Sequence, residues 1–598
     1  MQLNAEQQQV VDHDGHSLVV ACPGSGKTRV IISKIGALLA RRPGSRICAV
    51  TFTRDASAEL KRRAVTEIGA TTFQKYCRVG TFHSLAIKQL RGSNLLGKVA
   101  SPGEQRAYLK RALALSSPYI TLEIATQMIE NAKTTFGDCP DKLTPLYEAY
   151  RELLERNKVE DLYDVLRRSV ELMRSGTLPP MPVHYMLVDE FQDTDHVQLA
   201  WVMEHVKQGT MITVVGDDDQ SIYSWRGALG YAGMQDFITQ TSGTSITLGV
   251  NYRCHEEILS AADRLISKND ARVEKRLFAA RGKGGRIVSM RYSLRQDEAD
   301  AAAETIAKHA VPATKAVSSL QQLTVPPGSW AVLSRNRFLL DFTEEALMVA
   351  GIKYRRSASE SIWNRPPFVF MLSLFKSIQI GANDGIDQAL NHALSIRVGQ
   401  MAAHTAIKEL HSQLGSDFYH ILDGAWINLD KLTPEAADVI KGFSKRATGW
   451  RNLARDGKFP MVIRGVADWF ASFEEKDDKK AFICSIGEVA CKVRGTLSQR
   501  ANALSMPVSS DDDDEPDGVQ LITMHSSKGL EFQNVWIVGC DTDTIPSPKS
   551  DNYPEERRLM YVAMTRAKDN LYLSSIISAE PSPFVLDAGC DPRQLTTS

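Results

Sequence analysis

The stretch Ser17-Leu-Val-Val-Ala-Cys-Pro-Gly-Ser-Gly-Lys-Thr28 decides the fold class of this chain. Its first half is a short apolar run with two valines, which predicts a buried strand of a parallel sheet. A glycine-rich turn follows and leads into a helical pattern, and that order is the setting of a phosphate-binding loop. In such loops backbone N–H groups curl around phosphates at the positive end of a helix. The sequence therefore predicts a nucleotide site formed by Ala21, Cys22, Pro23, Gly24, Ser25, Gly26, Lys27, Thr28 and Arg29.

Four side chains in or near this loop are expected to carry the chemistry of ATP hydrolysis. Lys27 would neutralise the β- and γ-phosphates of ATP, and Thr28 would ligate Mg²⁺. The stretch Met186-Leu-Val-Asp-Glu-Phe-Gln-Asp-Thr194 is an apolar strand that ends in two carboxylates. Asp189 would hold Mg²⁺ through water, and Glu190 would orient the attacking water.

A third apolar run, Val214-Val-Gly-Asp-Asp-Asp-Gln220, leads into a polar turn. In a sheet of this kind the turn faces the γ-phosphate, so Gln220 is a candidate sensor of that group. On residue type alone, an aspartate-rich surface turn is the alternative.

Apolar runs alternate with helical stretches in two regions of the chain, which predicts an α/β fold with two parallel sheets. Helical sequence interrupts each region, so each α/β domain is expected to carry a largely helical insertion. An acidic stretch, Ser509 to Gly518, is expected to be a flexible linker. The predicted boundaries are 1–88 with 176–256 for the first ATP-binding domain, 89–175 for its all-helical insertion, 257–365 with 511–598 for the second α/β domain, and 366–510 for the second insertion.

Composition places the chain among ordinary globular proteins. Lysine plus arginine and aspartate plus glutamate both number 71, so there is no global attraction to nucleic acid, although a local basic groove remains open. The nine cysteines are irregularly spaced and form no C-x-x-C pair, which predicts reduced thiols in a cytoplasmic protein and argues against a metal cluster. No signal peptide or membrane-spanning stretch is expected.

Beside the phosphate-binding loop, eight ordered motifs resemble those of the superfamily-one DNA helicases of the UvrD, Rep and PcrA type. The resemblance covers nearly the whole chain and departs from the family pattern at Arg54-Asp-Ala-Ser57, which leaves the DNA contacts of those residues open. The eight motifs are Leu3-Asn-Ala-Glu-Gln7, Thr51-Phe-Thr53, Gly80-Thr-Phe-His-Ser84, Asp189 to Thr194, Gly216 to Ala228, Asn251-Tyr-Arg253, Thr523 to Phe532 and Glu555 to Ala567.

The resemblance implies two RecA-like motor domains with ATP and Mg²⁺ between them, and movement from 3′ to 5′. By resemblance, Gln7 and Tyr252 would contact the adenine, Glu531 the ribose or nucleotide edge, and Arg253 and Arg566 the γ-phosphate, with Arg566 and Glu531 in the second domain. Single-stranded DNA and its junctions with duplex are the implied partners. The implied DNA contacts are Phe52, His83, Trp225, Arg226, Thr523 and His525.

Several alternatives stay open at this point. The 31 residues after Ala567 are too few for a nuclease domain, so a nuclease would have to be a separate partner. An accessory motor of a phage-defence or mobile-element system is a second alternative to a role in repair, recombination or replication restart. A non-enzymatic DNA-binding module is disfavoured because Lys27, Glu190 and Arg566 are all present. Ser395-Ile-Arg-Val-Gly399 weakly resembles a duplex-binding helix–hairpin–helix turn, with a plain helix turn as the alternative.

Overall fold

The computed structural model describes residues 2–116, 120–136, 144–313, 323–356, 361–505 and 517–593. The chain divides into two compact units. Unit 1 contains residues 1–286, 546–569 and 584–590, and unit 2 contains residues 287–545, 570–583 and 591–598. Most of the predicted acidic linker lies outside the described residues.

The strands are numbered along the chain. They are β1 (Ser17–Ala21), β2 (Ile47–Thr51), β3 (Cys77–Thr81), β4 (Lys98–Val99), β5 (Val159–Glu160), β6 (Tyr185–Val188), β7 (Met211–Gly216), β8 (Thr244–Leu248), β9 (Val250–Asn251), β10 (Phe278–Ala279), β11 (Arg286–Tyr292), β12 (Val311–Pro312), β13 (Leu323–Thr324), β14 (Trp330–Ser334), β15 (Tyr354–Arg355), β16 (Val519–Thr523), β17 (Phe532–Val538) and β18 (Ala567–Ile576).

The α-helices are numbered in the same way. They are α1 (Ala5–Asp12), α2 (Lys27–Arg41), α3 (Arg54–Ile68), α4 (Ala70–Tyr76), α5 (Phe82–Gly92), α6 (Pro102–Ser116), α7 (Leu122–Lys133), α8 (Thr144–Arg156), α9 (Leu162–Arg174), α10 (His196–Lys207), α11 (Gly230–Thr241), α12 (Glu256–Ile266), α13 (Arg295–Ala307), α14 (Leu339–Val349), α15 (Phe368–Ile380), α16 (Asp384–Val398), α17 (Gln400–Leu414), α18 (Pro434–Arg455), α19 (Phe459–Ala471), α20 (Asp477–Lys492), α21 (Leu497–Ser505), α22 (Tyr553–Met564) and α23 (Pro583–Asp587).

The main sheet of unit 1 has six strands in the order β3-β2-β6-β7-β1-β8, and its neighbouring strands pair in parallel. Every residue of β1, β2 and β6 is buried, as expected for strands covered by helices on both faces. Because β1, β6 and β7 lie side by side, their carboxyl ends meet at one edge. That edge therefore brings together the phosphate-binding loop, Asp189 and Asp217.

The insertion of unit 1 has a small apolar core between α6, α7 and α8 that includes Leu109, Ile129 and Leu153. Helix α9 instead packs its buried face, including Val165 and Val170, into a core shared with the main sheet. The insertion also contains the two-residue strands β4 and β5, which pair in parallel. The expectation of an all-helical insertion is therefore wrong at this pair. Strands of two residues are too short to give a period-two pattern in sequence.

The main sheet of unit 2 has six strands in the order β11-β18-β17-β14-β16-β15, and β14 pairs in parallel with both β16 and β17. Helices α15 to α21 form its insertion, which ends at the limit of the described residues near Ser505. The predicted α/β fold with two parallel sheets and largely helical insertions is confirmed. The stretch Ser395 to Gly399 contains the last turn of α16 and the single residue Gly399, which has φ +83°. Helix α17 begins at the next residue.

Three segments expected in the second α/β domain, residues 257–286, 546–569 and 584–590, lie in unit 1. Residues 546–569 contain α22 and Arg566, and they belong to unit 1 because α22 packs against α12 of that unit. The sequence analysis placed these residues in the second α/β domain, because the alternating strand pattern resumes before them and because the family resemblance puts Arg566 in that domain. None of the helices within the described ranges combines the length and the apolar character that a membrane crossing requires.

Candidate nucleotide site and aromatic cluster

The phosphate-binding loop has a backbone that only glycine adopts readily. Gly24 has φ +64° and Gly26 has φ +81°, and Gly26 precedes the first residue of α2. The backbone N–H groups of the first turn of α2, from Lys27 through Thr28 and Arg29, have no partner within the helix and point towards the loop. The buried Ser25 hydroxyl also has no hydrogen-bond partner in the described part of the chain. Such a cradle of donors fits a phosphate group.

Helix α1 contacts this loop through a hydrogen bond of Gln7. Asn4 and Gln7 form a reciprocal cap at the start of α1, and the Gln7 side chain donates from Nε2 to the Ser25 carbonyl at 2.9 Å. Tyr252 lies at the same place: its backbone N–H donates to the Gly24 carbonyl at 2.9 Å, and its hydroxyl accepts from Asn4 Nδ2 at 2.9 Å. Gln7 and Tyr252 thus flank the loop, and their contacts to adenine remain predictions.

Lys27 and the two carboxylates after β6 are close neighbours. Lys27 Nζ lies 3.2 Å from Glu190 Oε2. Burial alone would lower the pKa of Lys27, but the carboxylates of Glu190, Asp217 and Asp189 outweigh that effect and raise it. Burial, reinforced by the adjacent Glu190 carboxylate, raises the pKa of Asp189 to about 7. A buried carboxylate with a raised pKa gains from a nearby cation, which suits a metal-binding role.

Gln192 links Glu190 to the turn after β7, a role that its residue type and position in the sequence did not indicate. Its side chain is fully buried; it donates from Nε2 to Glu190 Oε2 at 2.6 Å and accepts from the Asp217 backbone N–H at 2.9 Å. Glu190 itself has φ +50°, which an ordinary residue adopts only where its surroundings hold it. The only sequence signal for Gln192 is its place in the stretch that follows Asp189.

Two arginines complete the charged side of the site. Arg566 is 1% exposed; it donates to the Gln220 side-chain oxygen at 3.1 Å and to the Val562 carbonyl at 2.9 Å. Arg253 donates to the Thr565 carbonyl at 3.2 Å. Burial, reinforced by the charge of Arg253, lowers the pKa of Arg566 to about 9. Two neighbouring guanidinium groups, of which that of Arg566 is buried and that of Arg253 half-buried, favour an anionic ligand.

The expected DNA-binding residues of unit 1 form an aromatic cluster. The rings of Phe52 and Tyr223 are stacked with centroids 6.0 Å apart, and Tyr223 meets Trp225 edge-on at 6.3 Å. Trp225 is 47% exposed, and the Arg226 guanidinium lies 5.2 Å from its ring centre. Exposed aromatic faces next to an arginine suit stacking on nucleobases. Tyr223, from the same turn, was missed by the sequence analysis.

His83 lies in a cleft of about 170 Å³ beside this cluster. Phe52, Arg226 and Tyr163 also line the cleft, and the rings of His83 and Tyr163 meet edge-on at 5.9 Å. Burial lowers the pKa of His83 to about 4, so its imidazole is neutral at physiological pH. A neutral ring contributes stacking and hydrogen bonds, not a charge for the DNA backbone. Tyr163 comes from the helical insertion, where no motif points to it.

The remaining predicted residues lie in unit 2. Thr523 ends β16, and its hydroxyl is 2.9 Å from that of Ser526. His525 begins a 3-10 turn that follows, and Glu531 is exposed immediately before β17. The structure thus brings Gln7, the loop, Asp189, Glu190, Gln220, Tyr252, Arg253 and Arg566 together in unit 1, while Thr523, His525 and Glu531 belong to the other unit.

Comparison with known proteins gives the family. A model of the UvrD/REP helicase N-terminal domain matches residues 3–235, and one of the UvrD-like helicase C-terminal domain matches residues 462–578. The ATP-dependent DNA helicase Rep of Escherichia coli is 29% identical over 98% of this chain and 94% of its own length. The ATP-dependent DNA helicase UvrD1 of Mycobacterium tuberculosis is 28% identical over 96% of this chain and 82% of its own length. DNA helicase II of Salmonella typhimurium is 29% identical over 96% of this chain and 84% of its own length. The chain therefore belongs to the UvrD/Rep family of ATP-dependent DNA helicases.

Proposed function

We propose that the chain moves along single-stranded DNA from 3′ to 5′ at the expense of ATP and unwinds the duplex ahead of it. The observation that carries this proposal is a continuous line of contacts in unit 1. It runs from Lys27 through Glu190 and Gln192 to the turn after β7, where Gln220 meets Arg566. The same turn continues to Tyr223 and Trp225 of the aromatic cluster. The polarity rests on family resemblance.

The nucleotide would bind with its phosphates over the loop and Lys27. Thr28 and Asp189 would hold Mg²⁺, which supplies positive charge to the phosphate oxygens when bound. Glu190, held by Lys27 and Gln192, would orient the attacking water. Arg253 and Arg566 would stabilise the charge that develops on the γ-phosphate, a contribution of roughly 10³ to 10⁵ in rate where an arginine of this kind has been removed.

The turn from Asp217 to Gly227 supplies the coupling between ATP and DNA. Gln220 contacts Arg566 at one end, and the Ser224 backbone N–H donates to Glu555 at 3.0 Å further along. Tyr223 and Trp225 of the same turn belong to the aromatic cluster, which would bind the DNA. A γ-phosphate that binds Gln220 and the arginines changes these contacts, and its loss on hydrolysis reverses the change. A ligand shifts a conformation only through such differential contacts.

We infer that the protein works in the cytoplasm on single-stranded DNA and its junctions with duplex. Repair, recombination or replication restart is the proposed setting. A phage-defence or mobile-element system with a separate nuclease or other effector is the alternative. Purification of the chain from its native host and identification of stably bound proteins distinguishes the two, because only the alternative requires a dedicated effector partner.

A strand-displacement assay tests the proposed function. Duplexes with a 3′ tail, a 5′ tail or blunt ends are incubated with the purified chain and ATP–Mg²⁺, with Lys27→Ala as the control variant. We expect ATP-dependent displacement from the 3′-tailed duplex and none by Lys27→Ala. A preference for the 5′ tail would overturn the polarity, and unwinding by Lys27→Ala would overturn the assignment of the nucleotide site.

A further inference from the structure

Three consecutive aspartates at the end of β7 surround one buried lysine. Lys275 Nζ lies 2.7, 2.7 and 2.8 Å from one oxygen each of Asp217, Asp218 and Asp219, and the lysine side chain is fully buried. Carboxylates that converge in this way could hold a metal ion. Here the ammonium group sits among them instead. Lys275 follows α12 and lies outside every motif on which the family resemblance rests.

The charges of this cluster are matched by partners from the segment around Lys275. Arg272 donates to both oxygens of Asp219 at 3.0 and 2.7 Å, and the Val273 backbone N–H donates to Asp218 at 2.7 Å. Burial alone would lower the pKa of Lys275, but the three carboxylates raise it well above its usual value. Removing one partner from buried charges of this kind is strongly destabilising, so the cluster holds a fixed geometry.

Asp217 connects the cluster to the nucleotide site. Its Oδ1 atom faces Lys275, and its Oδ2 atom accepts a hydrogen bond from Gln220 Nε2 at 2.5 Å. With its nitrogen end held in this way, the Gln220 carboxamide turns its oxygen to Arg566, which donates at 3.1 Å. If the carboxamide turned over, its NH₂ group would face the guanidinium, donor against donor. The Asp217 carboxylate disfavours that rotation because its Oδ2 atom accepts from the Gln220 NH₂ group, while the Lys275 ammonium holds its Oδ1 atom in place.

We propose that Lys275 and Asp217 are positioning residues that fix the orientation of the Gln220 carboxamide, so that its oxygen faces Arg566. The inference rests on the proposed function, in which Gln220 and Arg566 act on the γ-phosphate. Neither Lys275 nor Asp217 is expected to touch the nucleotide. Their effect on the reaction passes through Gln220.

Asp217→Asn tests the orientation with little change in shape. Lys275 requires an acceptor, so the introduced asparagine turns its oxygen to the lysine and its NH₂ group to Gln220, which must then turn over. We expect kcat for DNA-stimulated ATP turnover to fall about tenfold or more, with the KM for ATP within about threefold of the wild type, because a misoriented sensor loses contacts made in the transition state. Asp218→Asn is the matched control: it removes a carboxylate from the same lysine without the bond to Gln220, and kcat should stay within about threefold.

Lys275→Met supplies an independent variant. We expect the same fall in kcat for Lys275→Met, and no further fall for the double variant Lys275→Met/Asp217→Asn. The double variant should have a higher melting temperature than Lys275→Met, because the double variant buries one carboxylate fewer. If Lys275→Met fails to fold, the comparison of Asp217→Asn with Asp218→Asn decides. Equal kcat in those two variants, or a change confined to KM, overturns the positioning role. Wild-type protein without DNA-stimulated turnover would instead overturn the proposed function.

Discussion

Replacement of Gln192 by methionine is expected to lower both the kcat for ATP turnover and the free energy of unfolding, and the two losses can be measured separately. In the wild type the Gln192 side chain donates to Glu190 Oε2 at 2.6 Å and accepts from the Asp217 backbone N–H at 2.9 Å, in a fully buried position. Methionine has a similar length and can do neither. An unpaired buried N–H costs about 1–3 kcal/mol of the free energy of unfolding. A hydrogen bond to a charged group is worth about 1.5–3 kcal/mol. We expect the loss of the bond to Glu190 to raise the activation free energy of ATP hydrolysis by this amount.

That second quantity corresponds to a fall in kcat of about 10- to 150-fold. The assay is steady-state ATP turnover with saturating single-stranded DNA, accompanied by urea unfolding of the same preparation. Gln379→Met is the matched control, since Gln379 also accepts a backbone N–H, that of Leu497 at 3.3 Å, but lies in unit 2. A folded Gln192→Met protein with kcat within twofold of the wild type would refute the assignment of Gln192 as the support of Glu190.

Three further outcomes are expected. Gly24→Ala should abolish nucleotide binding in a titration with a fluorescent ATP analogue, because a Cβ there would lie only 2.6 Å from the Cβ of Arg253. Gly176 has a similar positive φ but open space around it, so Gly176→Ala should bind the analogue normally. Trp225→Ala should weaken single-stranded DNA binding about tenfold in fluorescence anisotropy, and the exposed Trp426→Ala should not. Burial lowers the pKa of His205 to about 4. His205 should therefore contribute a fall of about 3 kcal/mol in the free energy of unfolding as pH drops from 6.5 to 4, and over that range His205→Gln should lose about 3 kcal/mol less than the wild type in urea titrations.

The strands next to the nucleotide site could be predicted closely from sequence. Residues 17–21 and 519–523 are apolar runs bounded by turns, and β1 and β16 have those bounds. Strand β3 could not be predicted in this way. It lies at the edge of its sheet, only Cys77 and Gly80 of its five residues are buried, and it contains no apolar run.

The candidate site was predictable only where its residues belong to a motif. Lys27, Glu190 and Arg566 come from such stretches, and the structure places all three in unit 1. Lys275 and Tyr163 reach the site through contacts between segments far apart in the chain, which no local pattern encodes. The grouping of Arg566 with unit 1 depends in the same way on the packing of α22 against α12.

The most direct measurement is ATP turnover by the purified chain with and without single-stranded DNA, for the wild type and for Lys27→Ala. If unit 1 holds a nucleotide site coupled to the aromatic cluster, the wild type turns over ATP at least about tenfold faster with DNA than without it. Lys27→Ala then shows no ATP turnover, either with or without DNA. Equal wild-type rates with and without DNA, or turnover by Lys27→Ala at the wild-type rate, would contradict it.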